Sequence, residues 1–155
     1  MKEYLIQTFQ YNHFANRKLI EKVGQLPDQS ECVKLISHLI NCMYKWLARA
    51  NEVPNSQEMS WWDPLYQYED LQSKWDDSFE KWISFLEKKS DSGLKEYVRF
   101  IGFDGGYYEA RYEDIALQLN YHSIHHRAQM QTIIRRQGLE PDFLDYIGTV
   151  YRKID

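Results

Sequence analysis

From residue 107 to residue 137 the chain contains neither glycine nor proline. Apolar residues recur through this stretch at spacings of three and four, which predicts one long helix over about residues 111–137, closed by Gly138 and then Pro141. Ile115, Leu119, His122, His126, Met130 and Ile133 project onto one face. Leu117, Tyr121, Ile124 and Ala128 form a second stripe on roughly the opposite side. A helix apolar on two sides has to cover both, so it lies centrally in a bundle or at a subunit interface. The rest of the chain has to supply helices of comparable length to pack against it.

Three such segments precede it. Residues 5–23 carry Leu5, Phe9, Ile20 and Val23 at helical spacing, with Gly24 and Pro27 as stop signals. Asn12, His13 and Asn16 share that face; such polar groups either join an interhelical hydrogen-bond network or line a polar pocket. Residues 30 to about 51 follow, with Ser30 as the candidate cap and Cys32, Leu35, Ile36, Leu39, Met43, Trp46 and Ala50 on the apolar side. His38 stands at the edge of that stripe and Cys42 one turn on. Residues 51–70 read as a long loop that Trp61, Trp62, Leu65 and Tyr66 fasten to the body. Residues 68–89 form the third helix, through Leu71, Trp75, Phe79, Trp82, Ile83 and Leu86. Residues 94–108 are rich in β-formers around Asp104-Gly105-Gly106, which predicts a short hairpin or extended excursion. A short terminal helix is expected within residues 143–151. The expected fold is all-α: a single-domain four-helix bundle over residues 1–155, with helices 1 and 2 as a long hairpin.

Charge and hydropathy narrow the function. The formal net charge is -4, and the lysines and arginines are scattered, which argues against a nucleic-acid partner. Apolar runs fall far short of the roughly 20 residues of a membrane span. The N-terminus lacks the apolar core of a signal peptide. Cys32 and Cys42, ten residues apart on one helix, would be ~15 Å apart and cannot pair with each other. A reducing, cytoplasmic setting is expected.

The chemistry concentrates in residues 122–126, which hold three of the five histidines. His122 and His126 stand one helical turn apart on one side, the spacing two imidazoles need to share one metal ion. The zincin pattern requires a Glu after the first His, and Ser123 stands there instead, so a metalloprotease is excluded. His125 makes a competing pair but is rotated away from the face of Met130 and Ile133. A catalytic ion needs about three protein ligands and an open position. The third ligand could be His38 or His13, or more weakly Cys42. Three neutral imidazoles would leave a divalent ion its full charge, which acidifies a water or a thiol. Such a donor set suits zinc or nickel first, with manganese or iron as alternatives.

The segment from Asn120 to Gln129, followed by Leu139-Glu140-Pro141, resembles the closing-helix signature of the DinB/YfiT-like superfamily, close to His-x-x-x-His-Arg-Gly-Gln. Tyr11-Asn12-His13-Phe14-Ala15-Asn16 is similar to that family's first-helix motif. Ser37-His38-Leu39, with Trp46 two turns on, is similar to its second-helix motif. Ala128 stands where the family usually has Gly. The resemblance implies a four-helix bundle that binds one divalent metal through His38, His122 and His126, commonly as a homodimer. It also implies a metal-dependent enzyme acting on a small molecule: a low-molecular-weight-thiol S-transferase or isomerase, or a hydrolase. The alternative is a non-catalytic, stress-linked bundle whose structural ion takes a fourth ligand such as Cys42. His13 and His125 do not match ligand positions; with Asn12, Asn16, Cys42, Gln118 and Gln129 they are candidates for the pocket wall.

Overall fold

The computed structural model describes residues 1–154. Four long helices, α1 (Lys2–Val23), α2 (Ser30–Ala50), α3 (Tyr68–Lys88) and α4 (Tyr112–Arg136), make a bundle. A 3-10 turn (Gly93–Lys95) and a hairpin of β1 (Tyr97–Ile101) and β2 (Tyr107–Arg111) separate α3 from α4, and a short α5 (Ile147–Val150) follows. This is the all-α architecture expected from the sequence, including the long loop after the second helix and the hairpin before the fourth.

Both α1 and α2 pack against α3 and α4, so they face each other mainly across the bundle's diagonal. The expected helix 1–2 hairpin is therefore corrected: the two are joined by a short connection but are not close neighbours. The core between them is filled by Leu5, Phe9, Leu19, Ile36, Ile40, Leu71, Trp75, Trp82, Leu86, Met130 and Ile134, all essentially inaccessible. Each such side chain contributes roughly 1.5–3 kcal/mol by leaving water. Trp82 closes the centre, with its ring 5.6 Å from that of Phe9 and its indole N–H donating to the Met43 carbonyl at 2.9 Å.

Two helix ends differ from expectation. Ser30 does not cap α2: it is the first helical residue, and Asp28 Oδ1 accepts its backbone N–H at 2.9 Å. Gly24 follows α1 with ordinary right-handed backbone, φ -59. Its lack of a side chain serves another purpose. A Cβ there would lie 2.1 Å from Tyr68 Oη, which donates to the Ile20 carbonyl.

The hairpin is antiparallel, pairing Tyr97 with Arg111 through to Ile101 with Tyr107. Its turn rests on Gly105, at φ +80, and on Asp104, whose carboxylate accepts from Gly106 N and Tyr108 Oη.

Of the second stripe of α4, only Leu117 packs against the core of this chain. Tyr121 is 62% exposed, Ile124 44%, and Ala128 is open as well. The central placement is thereby overturned: α1 and α2 cover adjoining faces of α4 and leave the far side bare. Cys32 and Cys42 are both buried and free. No helix of the described residues is long and apolar enough to cross a membrane.

Candidate metal centre

Two faces of α4, about 100° apart per residue, meet different neighbours. Asn120, Ser123 and Arg127 turn toward α1. Asn16 donates to Ser123 Oγ at 2.7 Å and to Asn12 Oδ1 at 2.9 Å, and Arg127 Nη1 donates to Asn12 Oδ1 at 3.0 Å. Asn120 donates to Thr8 Oγ1 at 3.0 Å. Of the two readings offered for the polar face of α1, this is the interhelical network. Asn12 and Asn16 are spent in the α1–α4 seam and line no cavity.

His122 and His126 turn the other way, toward His38 on α2. His126 Nε2 lies 2.9 Å from His122 Nε2, and His122 Nε2 lies 3.3 Å from His38 Nε2. Nitrogens ~2.05 Å from one ion are ~3.3 Å apart at a tetrahedral angle and ~2.9 Å apart at a right angle, so both spacings suit a shared ion. The orientation of the rings is fixed from behind. His38 Nδ1 lies 2.7 Å from the Trp61 carbonyl, which can only accept, so the proton sits on Nδ1 and Nε2 presents a lone pair. His126 Nδ1 lies 2.7 Å from Gln129 Oε1, with the same consequence. Two lone pairs thus converge on the third imidazole, an arrangement that only a proton or a cation relieves.

The rings are held neutral. Burial, and then the neighbouring His126 and His38, bring the His122 pKa down from 6.5 to about 4. Burial also lowers His38 and His126. Neutral imidazole is the ligating form.

Cys42 is the other nearby donor. Its Sγ and ring nitrogens of His38 and His122 lie within 4.8 Å of one another. The thiol sits 3.7 Å from His38 Nε2 and 3.8 Å from Nδ1, over the ring rather than along its lone pair. Burial pushes its pKa up to about 12, which keeps it a thiol. His38 and His126 each turn Nε2 toward His122 Nε2, and Cys42 lies beside His38. His38, Cys42 and His122 together are compatible with a metal-binding site.

The remaining sequence candidates divide. Gln118 lines the cavity beside the histidines, as does Cys42. Gln129 is not wall; it orients His126. His13 is elsewhere: it stacks on Phe79, centroids 3.9 Å apart, with Nε2 3.6 Å from Asp76, because its face of α1 looks toward α3. His125 is exposed, turned away from the cavity by its place on the helix.

The cavity, about 530 Å³, is floored by α2 and α4. The loop supplies Trp61 and Trp62, and the hairpin supplies Phe100 to Phe103. Trp62 lies flat on His38, Trp46 meets Phe100 edge-on at 5.0 Å, and Phe103 leans on Trp61 at 5.9 Å. Two columns on α2 at spacing four build this side. His38, Cys42 and Trp46 face the cavity. Ser37, Asn41, Lys45 and Arg49, all buried, hold the loop. Ser37 accepts from Tyr66 N, Asn41 bonds Tyr66 Oη and the Pro64 carbonyl, and Lys45 donates to the carbonyls of Gln57 and Met59. Arg49 donates to Gln57 Oε1, which is 2.6 Å from Nη2, and Gln57 Nε2 donates to the Ile101 carbonyl at 3.0 Å. Leu65, expected to pack inward, is 56% exposed; the polar column does the fastening. Lys45, Arg49 and Gln57 were not singled out from sequence, although the strict four-residue spacing was the signal.

The sequence profile of the DinB superfamily matches residues 25–130. The chain belongs to the DinB superfamily. The match includes all three converging histidines and the whole of α2, α3 and the hairpin. The first-helix part of the DinB resemblance, at Tyr11–Asn16, lies outside the matched residues. No curated protein and no solved structure matches the chain.

Proposed function

We propose that this DinB protein is a divalent-metal-dependent enzyme acting on a small molecule, foremost as an S-transferase that uses a low-molecular-weight thiol. His38, His122 and His126 would hold the ion, zinc or nickel in the first instance. The observation that carries the reading is the meeting of three imidazoles on the floor of an aromatic-walled cavity, two of them, His38 and His126, oriented from behind. A purely structural ion is normally closed in by four protein ligands and has no need of a cavity. An ion held there would supply Lewis-acid activation of a thiol or a water.

The chain's own residues have three tasks. Trp61 and Gln129 fix the imidazole tautomers through their acceptor oxygens. Trp46, Trp61, Trp62 and Phe100 exclude water and give an apolar body a surface to pack on. Gln118, at the cavity beside His122, can orient a polar group of the substrate. The solvent-open stripe of Tyr121 and Ile124 supports a homodimer.

The test combines elemental analysis with an activity screen. Wild-type protein should carry about one metal per chain, and His126→Ala should lose most of it; equal occupancy would sink the ligand assignment. Metal-loaded protein should conjugate low-molecular-weight thiols to electrophiles, and His126→Ala should not. A loaded protein without turnover of thiols or hydrolysable esters favours the second reading, a structural ion with Cys42 as fourth ligand.

A further inference from the structure

The end of the cavity away from the histidines is built from positive charge with no counter-charge. Lys45 is 4% exposed and Arg49 is 8% exposed, and both border the cavity. Among the described residues neither has a carboxylate within ion-pair reach. Their acceptors are all neutral: the Gln57 and Met59 carbonyls for Lys45, and Gln57 Oε1 and the Ile101 carbonyl for Arg49. These bonds occupy Nε and Nη2 of Arg49, and among the described residues Nη1 has no acceptor.

Aromatic faces surround the pair without neutralising it. The guanidinium carbon lies 4.8, 5.1 and 4.9 Å from the ring centres of Trp46, Trp61 and Phe100, and Lys45 Nζ lies 4.6 Å from that of Trp61. Burial lowers the pKa of both groups, and Arg49 lowers that of Lys45 further. If these side chains only fastened the loop, neutral donors would serve the same carbonyls without the desolvation cost of two adjacent like charges. An anion in the cavity offsets that cost.

We propose that Lys45 and Arg49 form an anion subsite, and that the cavity's ligand is an elongated organic acid with an apolar middle. Its carboxylate, phosphate or sulfonate sits between Lys45 and Arg49, and its body packs on Trp46, Trp61 and Phe100. Its reacting end reaches the histidines, of which His38 lies ~10 Å from Lys45 and ~16 Å from Arg49 along α2. The inference rests on reading the cavity as a substrate site, but the subsite itself needs no ion.

Calorimetric titration of the full chain, chelator-stripped and zinc-reloaded, tests it with three probes: 6-phenylhexanoate, 6-phenylhexyl phosphate and the uncharged 6-phenylhexanamide. Stripped wild-type protein should bind at least one anion about tenfold or more tightly than the amide. The tighter anion names the acid. Lys45→Met and Arg49→Gln should each erase most of that preference, and Arg49→Lys should keep part of it. Circular dichroism confirms that each variant is folded. Equal affinities for acid and amide, including no measurable binding of any probe, overturn the proposal. So does a preference that survives Lys45→Met. A preference present only with zinc and lost in His126→Ala also overturns it, because the acid is then binding the ion. Conversely, an anion preference with no metal uptake supports the subsite and removes the metal reading.

Discussion

The imidazole of His38 lies flat against the indole of Trp62, with ring centres 3.8 Å apart and planes 14° from parallel. The preceding residue, Trp61, takes the proton of the same ring on its carbonyl. Two consecutive loop residues therefore hold one histidine, by face and by edge. Trp62→Ala should weaken metal binding about tenfold while moving the thermal midpoint little, because Trp62 is itself 44% exposed. Trp62→Phe should restore most of the affinity. A competition titration with a chromophoric zinc chelator measures both.

Gln129 does for His126 what the Trp61 carbonyl does for His38. Gln129→Leu removes the acceptor and should cost about 10–100-fold in metal affinity. Gln129→Glu keeps an acceptor and adds charge, so its affinity should equal or exceed that of the wild type. If Gln129→Leu binds zinc normally, the tautomer of His126 is set by something else.

The lowered histidine pKa values carry a sign for stability. Burial and neighbouring imidazoles hold His122 at about 4, against 6.5 in the unfolded chain. Between those values the unfolded chain binds more protons than the folded one, so stability rises with pH across the window. It is fully present above 6.5 and is lost as pH falls toward about 4. Urea melts of chelator-treated protein at pH ~7.5, ~6 and ~4.5 should show successive losses, and His122→Gln should flatten the trend. A wild-type protein equally stable at all three would contradict the buried, neutral trio.

Arg127, 3% exposed, joins Asn12 and Tyr11 Oη, and Tyr11 in turn donates to the Leu144 carbonyl at 2.7 Å. Arg127→Ala should cost about 2–4 kcal/mol, from the void and two lost hydrogen bonds. Arg127→Met, which keeps the volume, should cost less. Hydrogen exchange should locate the loosening at the α1–α4 seam and around Leu144, with metal content unchanged.

How far the sequence reached depends on the distance over which each feature is encoded. Helical periodicity is local, so the four helices, the Asp104-Gly105 turn and the pairing of His122 with His126 could all be read. The assignment of His38 needed the family resemblance, because its position at the edge of an apolar stripe suits a packed core histidine equally well. His13 was a weaker case of the same ambiguity; only the diagonal placement of α1 and α2 sends it to Phe79. Gly24 reads as a helix stop signal, whereas the residue that requires it, Tyr68, is far along the chain. The column of Ser37, Asn41, Lys45 and Arg49 was visible as spacing. Its meaning lay in a loop whose path no local pattern describes.

Gln57 has a mechanical consequence. One side chain accepts from Arg49 on α2 and donates to the Ile101 carbonyl at the end of β1, so it rivets the loop and the hairpin to the same helix. Neither flap can swing alone without shearing that rivet. Two walls of the cavity, far apart in sequence, are thus held to one helix by a side chain outside the histidine cluster.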